Sequence, residues 1–493
     1  MSRRNCSQRK RFQLRVRQSR KLPLVTNKES LAALQESLQL NDGIFAKIKF
    51  HGNTTWTPGS LVWLALCWSW SECRNVTDAF TEAAGWSQKI SGSTPLSTYQ
   101  GFMGALTRWT PVFIPLLCLI LQQRMAEWGG EFWQIDEWVP IAFDGSRSTA
   151  PRTKDNEQAF CAANYGKGMT ARYRKKKSKG LRRTKNERSK PQPQEPQAWI
   201  TLLWHMGLRL PWSWRLGPSN SSERGHVIEM IENGKFPTNT LFCGDAGFVG
   251  YPLWSQILRR KAHFLVRVGA NVSLLTVGVD YQRRQGGLVL CWPKTSRQAN
   301  QPPLRLRLVR VRLGKTKAWM LTSVLDSSRL TIRQIVKLYK MRWGIEVEFR
   351  GLKQTLDCAK LCCRNNHRLL AELDWSILAM AIAELLALKE QLSQKRLPTA
   401  RDQPPPDPAK RSLAQTMRAL RHCLKNLDDA PAPNENLATQ LRLAVTDSYQ
   451  RKASKRARYR PPNPDQKPLG DPHLRRLTSQ EKKELPFAEK TAA

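Results

Sequence analysis

The sequence predicts an α/β fold from three features: apolar runs that end beside glycine, a strand-like alternation, and long segments of helical periodicity. Residues 138–143 form one apolar run, which leads into Asp144 and a glycine. Residues 240–243 form a second, which leads into a glycine and Asp245. Short continuous apolar runs are typical of buried strands. Strand ends are where α/β sheets place their chemistry, so Asp144 and Asp245 are candidate site residues.

Charge is the dominant feature of the composition. The chain has 493 residues, a formal net charge of +42 and a pI near 10.4. This length allows about two to four domains. A surface this basic favours DNA or RNA as a partner over an anionic membrane. No membrane partner is expected, because the apolar runs are shorter than the roughly 18 residues that a span requires.

Cysteine usage predicts a cytoplasmic protein. The eleven cysteines are scattered in apolar contexts, which suits buried thiols in a reducing compartment. The first 22 residues are rich in Arg and Lys and lack the apolar region of a secretory signal. A zinc site is an alternative for Cys358, Cys362, Cys363 and His367. Their spacing lacks a CxxC pair, so a polar turn after a helix is the preferred interpretation.

The N-terminal part is predicted to be a basic disordered arm (1–27) followed by a helical region (28–135). Thr57 and Pro58 are expected at the N-cap and first turn of one helix. Gly85 is expected to close another helix. The three helices are predicted at residues 57–70, 75–84 and 97–109. A DNA-binding domain is the preferred interpretation of this region, and a helical domain that only supports the core is the alternative.

The first part of the catalytic core is predicted at residues 136–262. Within it, a strand at 199–204 and a helix at 220–232 precede the strand that bears Asp245. Residues 166–197 are interpreted as a flexible basic insertion with non-specific affinity for phosphate, because twelve Lys or Arg lie between residues 167 and 190 against a single acid. A solvated charge run without a partner is the alternative.

A β-rich insertion is predicted at residues 263–328, before the core resumes at 329–395. Within the insertion, residues 304–312 alternate apolar side chains with Arg, the period-two pattern of a strand with one basic face. A long apolar helix at 368–392 should then pack under the sheet.

The most informative pattern in the chain is Y-x2-R-x3-E-x6-K, formed by Tyr339, Arg342, Glu346 and Lys353. On a single helix these four side chains lie within about 60° of one another. Glu348 lies about 200° away, on the opposite face. A carboxylate flanked by cations on one stripe suits a metal ion held against a nucleic-acid backbone.

Asp144, Asp245 and Glu346 together form an oxygen-only ligand set, which suits Mg²⁺ or Mn²⁺. We assign these three as the catalytic and metal-binding residues. Arg342 and Lys353 are assigned as phosphate clamps, and Tyr339 as a hydroxyl donor to phosphate. The alternatives are aspartates that cap turns and an ordinary i,i+4 ion pair between Arg342 and Glu346.

The C-terminal part is predicted to contain a proline-rich linker (396–410), a helical region (411–450) and a basic disordered tail (451–493). The helical region has apolar side chains at helical spacing: Leu413, Met417, Leu420 and Leu424. This face is a candidate dimer interface or, alternatively, a small packing helix.

The chain resembles the bacterial insertion-sequence transposases of the DDE type, in the family-four (IS-4-like) group that carries this Tyr-Arg-Glu-Lys pattern. The likeness runs from residue 138 to Lys353 and is only general in the flanking regions. It implies a ribonuclease-H-like core with a β-rich insertion, flanked by helical regions. It also implies two Mg²⁺ ions, for which Mn²⁺ substitutes. Asp144 would bridge them, and Asp245 and Glu346 would each complete one coordination shell.

The resemblance implies further DNA-binding residues. Trp319 matches the context of a tryptophan that stacks on an extruded base at the transposon end, and Trp292 is its rival. Arg267 matches an arginine near the scissile end. The N-terminal helical region would bind the transposon ends, and the C-terminal region would assemble a homodimer.

The function implied is cleavage of the ends of an insertion sequence and joining of their 3′ ends to target DNA, through a hairpin intermediate. The partners would be double-stranded DNA, both terminal inverted repeats and target, with the enzyme at the bacterial nucleoid. One alternative is a ribonuclease-H-like nuclease that does not join strands. A second is a non-catalytic DNA-binding descendant.

Overall fold

The structure, a computed structural model, describes residues 25–490 except for 41, 52–53, 55, 93–95, 162–194, 220, 277–285, 315, 394–406, 433–434 and 447–468. The described strands are β1 Val139–Thr149, β2 Gln197–His205, β3 Leu210–Gly217, β4 Thr240–Gly244, β5 His263–Val268, β6 Ser273–Thr276, β7 Gly286–Cys291, β8 Leu304–Leu313, β9 Thr316–Thr322 and β10 His473–Arg476. They form one sheet in the order β10-β6-β7-β8-β9-β5-β4-β1-β2-β3.

The described helices are α1 Asn27–Leu38, α2 Pro58–Trp70, α3 Val76–Ser91, α4 Tyr99–Trp128, α5 Lys154–Phe160, α6 Glu223–Asn233, α7 Tyr251–Arg259, α8 Lys294–Gln298, α9 Ile332–Met341, α10 Gly344–Gln354, α11 Asn366–Ser393, α12 Leu413–Lys425, α13 Leu437–Arg442 and α14 Ser479–Lys490. Short 3-10 helices lie at Asp42–Phe45, Gly130–Phe132 and Pro408–Lys410.

The half of the sheet that ends at β3 has the topology of ribonuclease-H-like proteins. β1, β2 and β3 form an antiparallel meander, and β4 and β5 are added in parallel on the other side of β1. The apolar run of β4 is fully buried, as expected for a strand covered on both faces. The predicted ribonuclease-H-like fold is confirmed, and the strand predicted at 199–204 lies within β2.

The strands of the predicted β-rich insertion extend the same sheet. β9 pairs antiparallel with β5, and β8, β7 and β6 follow in order. In β8, exposed Arg305 lies between buried Leu304 and Leu306, which confirms the predicted strand. The alternation changes phase at Leu308 and Val309, which are both buried, so the predicted single basic face is wrong.

The C-terminal tail returns to the sheet. β10 pairs in parallel with β6, and α14 follows it. The disordered tail predicted for 451–493 is therefore wrong for these two elements. The free edge of β6 offers backbone donors and acceptors, which β10 satisfies.

Two N-terminal helices extend beyond their predicted ends. The Thr57 side chain accepts a hydrogen bond from the Ser60 amide and Pro58 begins α2, as predicted. By contrast, Gly85 lies inside α3, which continues to Ser91. The helix predicted at 97–109 runs to Trp128 as α4, through two prolines. Burial of apolar side chains beyond each expected stop outweighs the cost of glycine or proline within a helix.

The core helix is α11, whose side chains from Trp375 to Leu388 are buried. It packs against α2, α4, α12, α13 and β3. Among the described residues, one helix, α4, is long and apolar enough to cross a membrane, judged by length and composition alone. One side of this helix packs on α11.

Three predicted segments fall wholly or mostly outside the described residues. These are residues 1–24 of the basic arm, 166–194 of the basic insertion and 396–406 of the linker. The helix predicted at 220–232 corresponds to α6, which the Ser222 side chain caps.

Candidate active site

The pairing of β1 with β4 places Asp144 beside Asp245. The two strands run in parallel, with Ala142 opposite Cys243, so the residues two positions further along each strand are Asp144 and Asp245. The glycine that precedes Asp245 packs so closely on the Phe143 ring that a Cβ would overlap it. The close approach of the two aspartates is therefore built into the strands.

Asp144 is not at the end of its strand, contrary to the prediction. β1 continues to Thr149, paired with β2, and Asp144 lies opposite Leu202. It is β4 that stops, at Gly244, and Asp245 then accepts a hydrogen bond of 2.7 Å from the Gly247 amide. β1 can continue because the antiparallel partner β2 still satisfies its backbone groups.

The predicted single helix that carries Tyr339, Arg342, Glu346 and Lys353 is wrong. α9 ends at Met341 and α10 begins at Gly344, with tighter turns between them: the Glu346 amide donates to the Trp343 carbonyl at 3.2 Å. Gly344 packs against the Trp204 ring on β2, where a Cβ would overlap it. This contact seats the start of α10 directly on the sheet.

Arg342 joins the two acidic elements despite the break between the helices. Its Nη1 donates to Asp144 Oδ2 and its Nη2 to Glu346 Oε1, both at 3.1 Å. The side chain is only 9% exposed. Burial alone would lower the pKa of Arg342, but the charges of Asp144 and its neighbours raise it above its usual value. The guanidinium therefore stays charged and neutralises the carboxylates.

The Asp144 carboxyl experiences opposing effects. Burial raises its pKa above the usual range, while the Gly145 amide and the Arg342 guanidinium lower it and the charge of Asp245 raises it further. The Gly145 amide donates to Asp144 Oδ1 at 2.9 Å. Asp144 thus lies between two other charged groups, Arg342 and Asp245, in the central position of the site.

The other three residues of the predicted cluster lie around these acids. Arg342 lies over the Tyr339 ring at 5.9 Å from its centroid, and burial raises the pKa of Tyr339. Arg267 lies beside Tyr339 and lowers that pKa. Lys353 donates from Nζ to Ser146 Oγ at 2.7 Å, and burial lowers its pKa. The Y-x2-R-x3-E-x6-K residues therefore converge, although they do not share one helix.

The two candidate stacking tryptophans are both buried. Trp319 is 5% exposed, and its Nε1 donates to Asp471 Oδ1, just before β10, at 2.7 Å. In the pairing of β5 with β9, Trp319 lies opposite Val268, whereas Arg267 lies opposite Met320. Trp292 lies in a separate small cluster with Leu275 and Leu290. Stacking of Trp319 on a base remains a prediction and requires the segment around Asp471 to move.

Sequence patterns did not indicate Glu223. It is the first residue of α6, yet its carboxylate lies against Gly145, and the charges of Asp144 and Asp245 act on it. A glutamate in the first turn of a helix is too common to signal a site. Its position depends on how α6 packs against β1, β2 and β3.

The donor chemistry fits a divalent cation, although Arg342 holds the acids in their present arrangement. Across the described residues, no group of three or more His, Cys, Asp or Glu side chains is close enough to hold a metal as placed. In this site Arg342 stands between Asp144 and Glu346, where it supplies the positive charge that an ion would supply. Carboxylate oxygens around such a position are the ligands that Mg²⁺ and Mn²⁺ prefer.

The alternative of a zinc site at Cys358, Cys362, Cys363 and His367 is not supported, because these side chains are not grouped closely enough to hold a metal in the described part of the chain. Cys358 and Cys362 instead lie 3.4 and 3.3 Å from backbone carbonyl oxygens of Leu356 and Arg74.

Comparisons with known proteins relate part of the chain to transposases. Residues 141–382 match the family model described as a transposase DDE domain. The chain is 28% identical over 175 residues to the protein y4zB of Sinorhizobium fredii, described as a transposase, covering 34% of this chain and 47% of that protein. It is 25% identical over 253 residues to the transposase InsG of insertion sequence element IS4 from Escherichia coli, covering 48% and 49%.

The chain thus spans about half the length of the curated relatives it matches. A cryo-EM structure of the piggyBac transposase synaptic complex with hairpin DNA aligns over 86% of this chain and 87% of its own, with 12% identity and a TM-score of 0.37.

Together, the fold, the acidic cluster and the family model define residues 141–382 as a transposase DDE domain. Over part of its length the chain is similar to the transposases of bacterial insertion sequences.

Proposed function

We propose that this protein is a Mg²⁺-dependent transposase, which cleaves the ends of its insertion sequence and joins their 3′ ends to target DNA. One observation carries the proposal: Asp144 and Asp245 on adjacent parallel strands, with Glu346 joined to Asp144 through Arg342. Carboxylates from distant parts of the chain meet at one point, where the +42 charge of the protein would bring the DNA backbone.

Two bound Mg²⁺ ions would activate a water or 3′-hydroxyl nucleophile and stabilise the leaving oxygen. Asp144 is the candidate bridging ligand, because it lies between Asp245 and the Arg342–Glu346 pair. Asp245 and Glu346 would each complete one coordination shell. Mn²⁺ should substitute, since it prefers the same oxygen ligands.

Arg342 would change partners when ions enter the site. Its guanidinium bridges Asp144 and Glu346, so ions bound by these carboxylates would take over its neutralising role. The released guanidinium would then be available to bind a phosphate with two parallel hydrogen bonds. Lys353 would add a point charge, and Tyr339 and Arg267 would contact the DNA near the cut. The Tyr-Arg-Glu-Lys pattern would thus serve DNA binding and catalysis together.

Excision would proceed through a hairpin at the transposon end. Water cleaves one strand and leaves a 3′-hydroxyl, which attacks the opposite strand, so that one phosphodiester bond forms as another breaks. Hydrolysis of the hairpin regenerates the 3′-hydroxyl that attacks target DNA. A homodimer that pairs two ends is the expected assembly.

The helical region at 28–135 is the candidate for binding the terminal inverted repeats. Its helices α2 and α4 also pack on α11, which supports the alternative that this region only buttresses the core. Deleting the region would not distinguish the two roles, because its helices form part of the same hydrophobic core. Footprinting of the protein on the terminal repeats would show whether the region binds them.

The decisive experiment is a strand-joining assay in Mg²⁺ with labelled duplexes of the element's own ends and supercoiled plasmid as target. Covalent transfer of label is expected with the parent protein and not with Glu346→Gln. The matched control is Glu348→Gln, two residues away on the other face of α10. Cleavage without joining would indicate a nuclease, and binding without either reaction would indicate a non-catalytic descendant.

A further inference from the structure

The β8–β9 hairpin extends beyond the strand that it pairs with in the core. β5 pairs with β9 as far as Trp319, whereas β8 pairs with β9 as far as Thr316. Three residues of β9 therefore lie beyond the last pair with β5, a length of about 10 Å. We call residues 310–314 and 316–318 the β8–β9 tip.

The β8–β9 tip projects from the edge of the sheet at which the acids lie. Gly244, the last residue of β4, pairs with Val266 of β5. The next residues along these parallel strands, Asp245 and Arg267, are therefore at the same level of the sheet. Arg267 in turn lies opposite Met320 on β9, two residues from the tip. The tip therefore begins beside the candidate active site.

The arginines of β8 divide between its two faces. Arg305 and Arg307 lie on one face. Arg310 and Arg312 lie on the other, because successive side chains of a strand point in opposite directions. The first face packs on the protein, since Arg307 donates to the Leu330 carbonyl at 2.5 Å and α9 contacts β8. The second face carries the cations of the tip.

Three cations occupy the second face of the tip. Lys317 lies directly opposite Arg312, and Arg310 is two residues, or about 7 Å, from Arg312 along β8. Arg312 Nε donates to the Gly314 carbonyl of its own turn at 3.2 Å. The Arg310 guanidinium lies over the Trp319 ring, 5.3 Å from its centroid. Among the described residues, no carboxylate forms an ion pair with any of these three cations.

The sequence around the tip contains no acid. Residues 281–325 include ten Lys or Arg and no Asp or Glu, although the chain of 493 residues has 39 acids. Arg312 and Lys317 are exposed, and the Asp471 carboxylate near the base of the tip accepts a hydrogen bond from Trp319 Nε1. A projecting row of cations without acids beside it attracts a polyanion.

We propose that the β8–β9 tip binds the sugar–phosphate backbone of DNA next to the active site, independently of base sequence, through Arg310, Arg312 and Lys317. The inference rests on the proposed function, because it concerns the DNA on which that site acts. Guanidinium groups bind phosphate oxygens through two parallel hydrogen bonds, and an ammonium adds a point charge. Contacts of this kind position a duplex without reading its bases.

The test measures binding of the full-length protein to two duplexes over a range of salt concentrations, without divalent metal. One duplex carries the element's terminal sequence and the other a scrambled sequence. Arg312→Gln and Lys317→Gln should each lower the slope of log K against log salt by about 0.9, and the double variant by about 1.8, equally for both duplexes. Arg305→Gln, on the other face of β8, is the matched control and should keep the parental slope.

Chemical protection tests the same contact in the parent protein. Lys317 should react more slowly with an acylating reagent when DNA is bound, as measured by mass spectrometry of peptides. Exposed Lys235 precedes β4, at the opposite edge of the sheet, and should react equally with and without DNA. Arg312→Gln and Lys317→Gln should unfold at the parental temperature, because both side chains are exposed.

The outcomes distinguish the role of the tip from the proposed function. Unchanged slopes in the double variant, or equal acylation of Lys317 with and without DNA, would overturn the role of the tip even if the parent joins strands. A reduction confined to the terminal duplex, or a lower unfolding temperature in both single variants, would overturn it as well. If the slopes depend on the tip but the parent neither cleaves nor joins DNA, the tip assignment is supported and the proposed function fails.

Discussion

Two arginine–carboxylate clusters lie on opposite faces of α10. On one face Glu346 pairs with Arg342, which also binds Asp144, and the Glu346 side chain is 34% exposed. On the other face Glu348 is buried with Glu384, whose carboxylate lies 3.7 Å from Arg411 Nε. The two faces therefore use the same chemical groups two residues apart.

Burial separates their roles. The Glu346 cluster opens to solvent on one side, so an ion or a phosphate can replace the guanidinium as a partner. The Glu348 cluster is closed, and it leaves Glu348 Oε1 and Arg411 Nη1 without hydrogen-bond partners among the described residues. Buried ion pairs of this kind offset their desolvation cost poorly, and they hold elements in register rather than react. The two clusters contain the same residue types, so access to solvent is what distinguishes the candidate catalytic cluster from the structural one.

The largest expected effect is on catalysis. Glu346→Gln, Asp144→Asn or Asp245→Asn should each reduce cleavage at least ~1000-fold, because losing an ion ligand removes several kcal/mol of charge stabilisation. Binding to end DNA should survive, as measured by gel shift. Glu348→Gln is the control and should cleave at a near-parental rate. Loss of DNA binding in all three variants would show that these acids are structural.

The second effect is on stability. Arg411→Met should lower the free energy of unfolding by about 3–5 kcal/mol, because it leaves buried carboxylates without their cation. The unfolding temperature measures this loss. Lys410→Met, at the exposed neighbouring position, should have little effect. Equal unfolding temperatures for Arg411→Met and the parent would mean that the closed cluster contributes nothing to stability.

The third effect is on the pH dependence of stability. Burial and the adjacent Glu384 raise the pKa of Glu348 well above its usual value. Between the unfolded and folded pKa values, the folded state binds this proton more tightly, so stability falls as pH rises through that window. Each pKa unit of difference contributes about 1.4 kcal/mol.

Glu348→Gln removes that titration. From pH 5 to pH 8 at constant ionic strength, its unfolding temperature should fall less than that of the parent. Parallel profiles for the two proteins would contradict a raised pKa at Glu348.

The smallest effect concerns DNA affinity. Lys353→Ala should lower the slope of log K against log salt by about 0.9, the value for one phosphate contact. Exposed Lys235, beyond the end of α6, offers a control substitution that should leave the slope unchanged. An unaltered slope in Lys353→Ala would remove this lysine from the phosphate contacts.

The predicted and observed sites differ where packing overrides local pattern. The helical spacing of Tyr339 to Lys353 led to one helix, but Gly344 packs on Trp204 and the chain breaks there into α9 and α10. The predicted convergence of these side chains holds, because the break preserves the i,i+4 relation of Arg342 to Glu346. Likewise, the composition of the tail indicated disorder, whereas the open edge of β6 orders β10.

By itself, the sequence determined the α/β class, the three acidic positions and the basic character of the protein. Apolar runs, glycine and side-chain periodicity are local properties that the chain carries before it folds. Only the tertiary structure decided that Arg342 bridges two of these acids and that Glu348 is closed off. These are contacts between residues far apart in sequence, and they depend on strand register and helix packing, which no local pattern encodes.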